Sequence, residues 1–294
     1  MTGLPLKRLA KTFVAEVDRL DLSQPPSAQM LHELSHALMQ HKVLVLRNLG
    51  LTTEQYARFG RSWSDCLRID SFSEMHVPGY SDMNMVGNYG ELFKDDGYRN
   101  GAAFWHTDCA AEPDPNATTM LYSVYTPTNL GSTVFADMEA AYEALDAEFK
   151  ADLSELEVEH CYAGAMPILG GRESWEHELT PTTDQTKLNL PDPVKRPLVR
   201  THSVTRRKAL YAPAGSGFNI PGMEIERANK LMRKLKLFAT DPRFCYRHQY
   251  QVGDLVMWDN SSTMHFAQPI DAATSVDDRR LLYRMCPLGL PKHL

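Results

Sequence analysis

Short runs of apolar and β-branched residues, without regular alternation of strands and helices, most constrain the fold of this chain. They predict strands at residues 43–46, 118–125, 133–136, 198–202, 243–250, 254–258 and 280–286. Helices are predicted where Ser27, and Thr52 or Thr53, can cap amphipathic segments, and at 140–153 and 224–238. Many strands with helices grouped outside them favour a mainly β fold, an antiparallel sandwich or barrel with flanking helices.

The chain is predicted to form a single domain over residues 1–294. Its length and its 43% of hydrophobic residues provide for a sizeable core, and no repeat or long linker divides it. The segments 89–101 and 170–193 are rich in Gly, Pro and charge, which predicts loop insertions near the mouth of a barrel.

Charge and cysteine usage exclude several classes of protein. A net charge of -6 argues against a nucleic-acid partner, and five irregularly spaced cysteines argue against a disulfide scaffold. The N-terminus lacks a signal-peptide pattern, and nowhere do enough apolar residues run together to cross a membrane. We expect a cytoplasmic protein without a membrane partner, while homo-oligomerisation stays open.

The stretch FWHTDCA carries the first candidate site, because His106 and Asp108 share a face in extended chain. This spacing alone is a weak motif in a chain with 11 histidines, although no other histidine here has an acid two places after it. An iron(II) facial triad needs a second histidine. The candidate is His265, which follows GDLVMWDNSSTM on an apolar strand, where a satisfied core histidine is the alternative.

The strand RRLLYRMC carries the second candidate site. Period-two alternation places Arg280 and Arg284 on one face, with their Cα atoms about 13 Å apart. Two guanidinium groups inside a barrel would each need an anion, one deep in the cavity and one near its mouth. In the alternative interpretation, one or both arginines pair with acids of the protein itself or face water.

Several further segments occur in order along nearly the whole chain: VLVLRNLGLTTEQYARFGRSW, GSTVFADMEAAYEAL and PLVRTHSVTRRKALY. Together with WHTD, GDLVMWDN, His265 and RRLLYR, they resemble the iron(II), 2-oxoglutarate-dependent dioxygenases related to taurine dioxygenase and 2,4-dichlorophenoxyacetate dioxygenase. The resemblance implies a double-stranded β-helix, or jelly roll. It also implies that His106, Asp108 and His265 are the iron ligands.

The resemblance further assigns the co-substrate residues. It implies that Thr133 and Arg280 hold the distal carboxylate of 2-oxoglutarate, in agreement with the alternation of the last strand. A guanidinium matches a carboxylate with two hydrogen bonds, and a hydroxyl adds one donor. An ordinary strand threonine is the alternative for Thr133.

Arg284 matches the family position that pairs with the sulfonate or carboxylate of the substrate. Asp277 or Asp278 could compete for it, since the segment before Arg280 carries extra acid.

The substrate is expected to be a larger or less polar acid than taurine. Residues 102–104 stand where the family has an asparagine that helps to bind taurine. Phe104 and Phe218 are candidates for an apolar wall, with Asn88 as a polar neighbour, although aromatic residues often belong to the core.

The resemblance thus implies that oxidative decarboxylation of 2-oxoglutarate, with O2, is coupled to hydroxylation of a small or medium organic acid. Desaturation, cyclisation or isonitrile formation at the same iron site are alternative outcomes. An alternative from another class is a metal-binding jelly roll without oxidative chemistry. The two classes differ in 2-oxoglutarate, because only the dioxygenase needs it as the anion of Arg280.

Overall fold

A computed structural model describes residues 4–9, 13–18, 20–68, 70–161 and 192–291 of the chain. The strands are β1 (Leu6–Arg8), β2 (Val14–Val17), β3 (Val43–Leu46), β4 (His76–Val77), β5 (Tyr80–Gly87), β6 (Thr118–Tyr125), β7 (Thr133–Asp137), β8 (Glu157–His160), β9 (Val194–Pro197), β10 (Val199–Thr201), β11 (Lys208–Leu210), β12 (Gly217–Asn219), β13 (Cys245–His248), β14 (Leu255–Asp259), β15 (Thr263–Ala267) and β16 (Leu281–Met285). The helices are α1 (Ala28–His41), α2 (Thr53–Trp63), α3 (Asp96–Asn100), α4 (Met138–Glu143), α5 (Ala147–Leu153) and α6 (Ile225–Ala239). Short 3-10 segments lie at Asp70–Met75, Leu92–Lys94 and Pro242–Phe244.

Two sheets face each other across the middle of the molecule. The larger has the strand order β1-β2-β3-β14-β6-β16-β5-β4, and the smaller has the order β13-β7-β15. The pairs are antiparallel except for β2 with β3. The rings of Phe135 on β7 and Trp258 on β14 lie 5.2 Å apart, which joins the two inner faces. The predicted mainly β fold with flanking helices is therefore confirmed.

Side-chain alternation along β14 separates an inner layer from an outer one. Val256 and Trp258 belong to the cluster between the sheets, whereas Leu255 and Met257 belong to the cluster that includes buried residues of α1 and α2. A third cluster includes residues of α4 and α6 and the outward residues of β7 and β15. The helices therefore pack on the outer faces, so the space between the sheets is available for a site.

The helix starts follow from side-chain caps. Ser27 and Thr52 cap α1 and α2 as predicted, and Thr52 forms a capping box with Gln55. The helical segment predicted at 140–153 consists of two short helices, α4 and α5, because Asp137 and Asp146 each cap a separate helix.

Two loop predictions have different outcomes. The segment 89–101, predicted as a loop, contains the turn Leu92–Lys94 and α3, where the Asp95 carboxylate accepts from the backbone N–H of Gly97. Of the segment 170–193, residues 170–191 lie outside the described residues.

None of the described helices is long and apolar enough to span a membrane.

Arg47 connects three strands of the larger sheet through buried charge. From the end of β3 it donates Nε–H to Glu16 on β2 at 2.9 Å and Nη1–H to Asp254, just before β14, at 2.6 Å. The Asp254 side chain is fully buried. Its carboxylate therefore depends on Arg47 for compensation.

We predict that Arg47→Met lowers the free energy of unfolding by about 3 to 5 kcal/mol, because it leaves the Asp254 carboxylate buried without its cation. Urea denaturation measures this. Arg61→Met is the control, since Arg61 pairs with Asp82 through a half-exposed side chain. Its loss should cost about 1 kcal/mol or less. Equal losses in the two variants would contradict the role given to Arg47.

Candidate metal and co-substrate site

The backbones of His106 and His265 form a reciprocal pair of hydrogen bonds. The N–H of His106 donates to the carbonyl of His265 at 2.9 Å, and the N–H of His265 donates back at 2.8 Å. Directly paired antiparallel residues project their side chains from the same face. The two imidazole centroids accordingly lie 4.2 Å apart, and the His265 ring lies 4.8 Å from the ring of Trp258 in the inner layer.

Asp108 completes a cluster with these histidines. Its Oδ1 lies 3.7 Å from Nε2 of His106, and its Oδ2 lies 3.6 Å from Nε2 of His265. One nitrogen or oxygen from each of the three residues lies within 4.8 Å of the others. The structure therefore brings together the three predicted ligands, and two imidazoles with one carboxylate are the donor set that iron(II) oxygenases use.

Metal binding needs neutral histidines and an ionised carboxylate, and the pKa values of His265 and Asp108 are both shifted in that direction. Nδ1 of His106 lies 2.8 Å from the carbonyl oxygen of Phe104, to which Nδ1–H donates, and Nε2 faces Asp108. Burial lowers the pKa of His265 to about 3. Burial alone would raise the pKa of Asp108, but Arg284 and then the histidines hold it well below its usual value.

Arg280 is a buried cation on the inner face. It is 2% exposed, its Nε has no hydrogen-bond partner, and no acid among the described residues forms an ion pair with it. Burial lowers the pKa of its guanidinium to about 10. The cation has space because Gly131 lies beside it with φ +66°, where a Cβ would come within 2.7 Å of Cδ of Arg280.

Thr133 lies on β7 with its side chain buried near this cation. Its Oγ1 is 3.0 Å from Oη of Tyr250, and both residues are buried. Burial raises the pKa of Tyr250, and the charge of Arg280 acts in the opposite direction and lowers it. Sequence reasoning missed Tyr250, since a tyrosine at the end of the predicted strand 243–250 carries no chemical motif.

Arg284 lies on the inner face of β16, and Arg280 shares that face just before the strand begins, as the alternation predicts. Its Nη2 is 3.7 Å from Oδ1 of Asp108, and Nε–H donates to Sγ of Cys286 at 3.2 Å. The proposed competitor Asp278 instead accepts from the hydroxyl groups of Thr274 and Ser275. The Arg284 side chain is 24% exposed, so it lies nearer the protein surface than Arg280, which is 2% exposed.

The other predicted substrate residues separate into three cases. The Phe104 ring lies beside the cluster, 4.8 Å from the His106 ring. Phe218 lies half-buried on β12, and its predicted role stays a prediction. Asn88 is 1% exposed, and its amide donates to the carbonyls of Asp271 and Asp278.

The amide oxygen of Asn88 also accepts from the backbone N–H of Arg280 at 2.6 Å. All of these bonds fix the segment that leads into β16. Asn88 therefore helps to place Arg280, and its predicted role beside the substrate stays a prediction.

Sequence reasoning also missed Thr119 on β6. Its hydroxyl donates to Oδ2 of Asp108 at 2.7 Å, which is the shortest contact of that carboxylate with a described side chain. Alternation from Leu121 could have placed Thr119 on the inner face, but only the tertiary structure brings it to Asp108.

Comparison with known proteins finds matches over nearly the whole chain. The family model for the taurine catabolism dioxygenase TauD, TfdA family matches residues 5–286. The chain is 32% identical over 286 residues to the alpha-ketoglutarate-dependent 2,4-dichlorophenoxyacetate dioxygenase of Burkholderia sp. (strain RASC), covering 94% of this chain and 92% of that one. It is 30% identical over 265 residues to the (S)-phenoxypropionate/alpha-ketoglutarate-dioxygenase of Sphingobium herbicidovorans, covering 90% and 88% of the two chains.

Solved structures also match this chain over nearly its whole length, at similar sequence identity. The complex of AAD-2 with Mn(II) and N-oxalylglycine has a TM-score of 0.77 at 30% identity, covering 97% of both chains. A taurine dioxygenase from Burkholderia xenovorans has a TM-score of 0.75 at 26% identity, covering 98% of this chain and 90% of that one. These matches confirm the predicted jelly roll.

We predict that Arg280→Met raises the free energy of unfolding of the ligand-free protein by roughly 1 to 4 kcal/mol, because an apolar side chain of similar length replaces a buried charge without an acid partner among the described residues. Urea denaturation measures the change against wild type. A loss of stability like that of Arg47→Met would mean that Arg280 is a structural ion-pair residue.

Proposed function

Because this chain belongs to the taurine catabolism dioxygenase TauD, TfdA family, we propose that it is an iron(II)- and 2-oxoglutarate-dependent dioxygenase that hydroxylates a small or medium organic acid. The observation that carries the proposal is the Arg280 guanidinium, buried without an acid among the described residues, in the same inner layer as the His106, Asp108 and His265 cluster. A protein that only bound a metal would gain nothing from this buried charge, which is costly unless an anion arrives.

His106, Asp108 and His265 would hold the iron. Two imidazoles and one carboxylate suit a divalent ion, and the remaining coordination positions would stay open for other ligands. Bound iron(II) would supply the oxygen activation that couples oxidative decarboxylation of 2-oxoglutarate, to succinate and carbon dioxide, to hydroxylation of the substrate. The protein contributes the orientation of the rings, since the Phe104 carbonyl keeps the proton of His106 on Nδ1.

Arg280 and Thr133 would hold the distal carboxylate of 2-oxoglutarate. The guanidinium can donate two parallel hydrogen bonds to a carboxylate, and the Thr133 hydroxyl can add a third. The Thr133 hydroxyl lies 3.0 Å from Oη of Tyr250, so either of these buried groups can supply the proton in their mutual bond. The distal carboxylate of the co-substrate would neutralise the buried charge of Arg280.

Arg284 would pair with the acid group of the substrate. Two of its donors point at the sulfur atoms of Cys286 and Cys109, at 3.2 and 3.8 Å, and thiol sulfur is a weak acceptor. An incoming carboxylate would therefore replace poor hydrogen bonds by strong ones. The Phe104 ring would provide an apolar surface next to His106, one of the three proposed metal ligands.

The relatives support a carboxylate substrate with an apolar body. Two of them are named for 2,4-dichlorophenoxyacetate and for (S)-phenoxypropionate, which are carboxylates that carry an aromatic ring. We propose a carboxylic acid of this general kind. A screen of such acids in air, with succinate release as the readout, tests the proposed activity.

For the metal site, we predict that His265→Ala abolishes the visible charge-transfer absorption that forms when iron(II) and 2-oxoglutarate are added anaerobically. One of three ligands is lost, so the chelate cannot assemble. His160→Ala is the control, because His160 is equally buried but bonds to Ser216 instead. An unchanged spectrum in His265→Ala would refute the assigned ligand set.

For the substrate site, we predict that Arg284→Leu raises the KM for a responsive acid by roughly 30-fold or more, the equivalent of losing one side of a buried charge pair. The KM for 2-oxoglutarate should stay near that of wild type. Arg279→Leu is the control, because Arg279 is exposed and lies over the ring of Tyr89.

The succinate assay also compares the acid with its neutral amide. Equal turnover of acid and amide by wild type would contradict the assignment of Arg284 to a carboxylate.

A further inference from the structure

Thr119 holds its place against Asp108 through two buried amides. Its Oγ1 accepts a hydrogen bond from Nδ2 of Asn116 at 2.9 Å and another from Nδ2 of Asn260 at 2.9 Å. A hydroxyl group has two acceptor lone pairs and one proton. Both lone pairs are used by the amides, so the single proton of Thr119 points at Oδ2 of Asp108, 2.7 Å away.

The orientation of each amide is fixed by a partner that can play one role only. The indole N–H of Trp258, which is purely a donor, donates to Oδ1 of Asn260 at 3.1 Å. Nδ2 of Asn116 donates to the backbone carbonyl of Thr118, purely an acceptor, at 2.7 Å. Neither amide can rotate by half a turn without losing its bond, so the direction of every proton follows from these contacts.

The whole arrangement is shielded from water. Thr119 is fully buried, Asn116 and Asn260 are each 2% exposed, and Asp108 is 4% exposed. Hydrogen bonds in such surroundings are strong, and each member orients the next. Asn116 precedes β6 and Asn260 follows β14, so the fold of the larger sheet sets their positions.

We propose that Asn116, Asn260 and Thr119, the Thr119 network, position the Asp108 carboxylate for metal binding. The inference rests on the proposed function, in which Asp108 is a metal ligand. The hydroxyl proton of Thr119 occupies one lone pair of Oδ2 and prevents rotation of the carboxylate. Thr119 is a positioning residue, because it acts on the metal through Asp108.

The test is the dissociation constant for Mn(II), measured by titration calorimetry without 2-oxoglutarate or substrate. Thr119→Val keeps the shape of the side chain but removes the proton donor, and should weaken Mn(II) binding by about 10- to 100-fold. Thr119→Ser keeps the hydroxyl and should bind Mn(II) nearly as wild type does.

Thr118→Val is the matched control. Thr118 is the neighbouring residue on β6 and is equally buried, but alternation turns it to the opposite face, and its Oγ1 has no hydrogen-bond partner. The same chemical change there should leave the Mn(II) affinity within about 2-fold of wild type. If the valine variant at 119 does not fold, Thr119→Ala against Thr118→Ala makes the same comparison.

The outcomes separate the inference from the proposed function. Failure of wild type and Thr118→Val to bind Mn(II) would overturn the metal site itself, and the inference with it. Binding by both, with equal affinity in Thr119→Val, would overturn the Thr119 network alone. Weak binding in Thr119→Val, restored in Thr119→Ser, supports it.

Discussion

The reciprocal backbone hydrogen bonds between His106 and His265 are the constraint on which the site depends. They attach the segment around WHTD to β15, so two residues far apart in sequence become a directly paired couple. Side chains of such a couple must leave the same face, and here that face lies between the sheets. Asp108 follows two residues after His106, which brings the carboxylate to the same place.

The charges of the molecule divide into those that support the fold and those placed for ligands. Lys42 is buried and pairs with Asp137 and Glu139, at 3.2 and 3.1 Å, and Arg47 has its own acids. Arg280 is buried to a similar degree without an acid among the described residues. Such a charge costs stability until an anion binds, as is typical of functional sites.

The sequence predicts those parts of the site that depend on local spacing. The pairing of an acid with a histidine two residues away identifies Asp108, and alternation along one strand places Arg280 and Arg284 on a common inner face. Thr119 could not be predicted in this way, because its function arises from contacts with residues outside its strand. The contacts by which Asn88 places Arg280 could not be predicted for the same reason, since its partners lie in a distant loop.

The proposed site would hold a metal ion at His106, Asp108 and His265 and a keto acid whose distal carboxylate neutralises Arg280. Its most direct test compares 2-oxoglutarate with 2-oxopentanoate, which has the same keto-acid end but a methyl group in place of the distal carboxylate. Titration calorimetry of the Mn(II)-loaded protein should give an affinity for 2-oxopentanoate roughly 30-fold weaker or more, because Arg280 then stays without its anion. Equal affinities for the two acids would contradict the account.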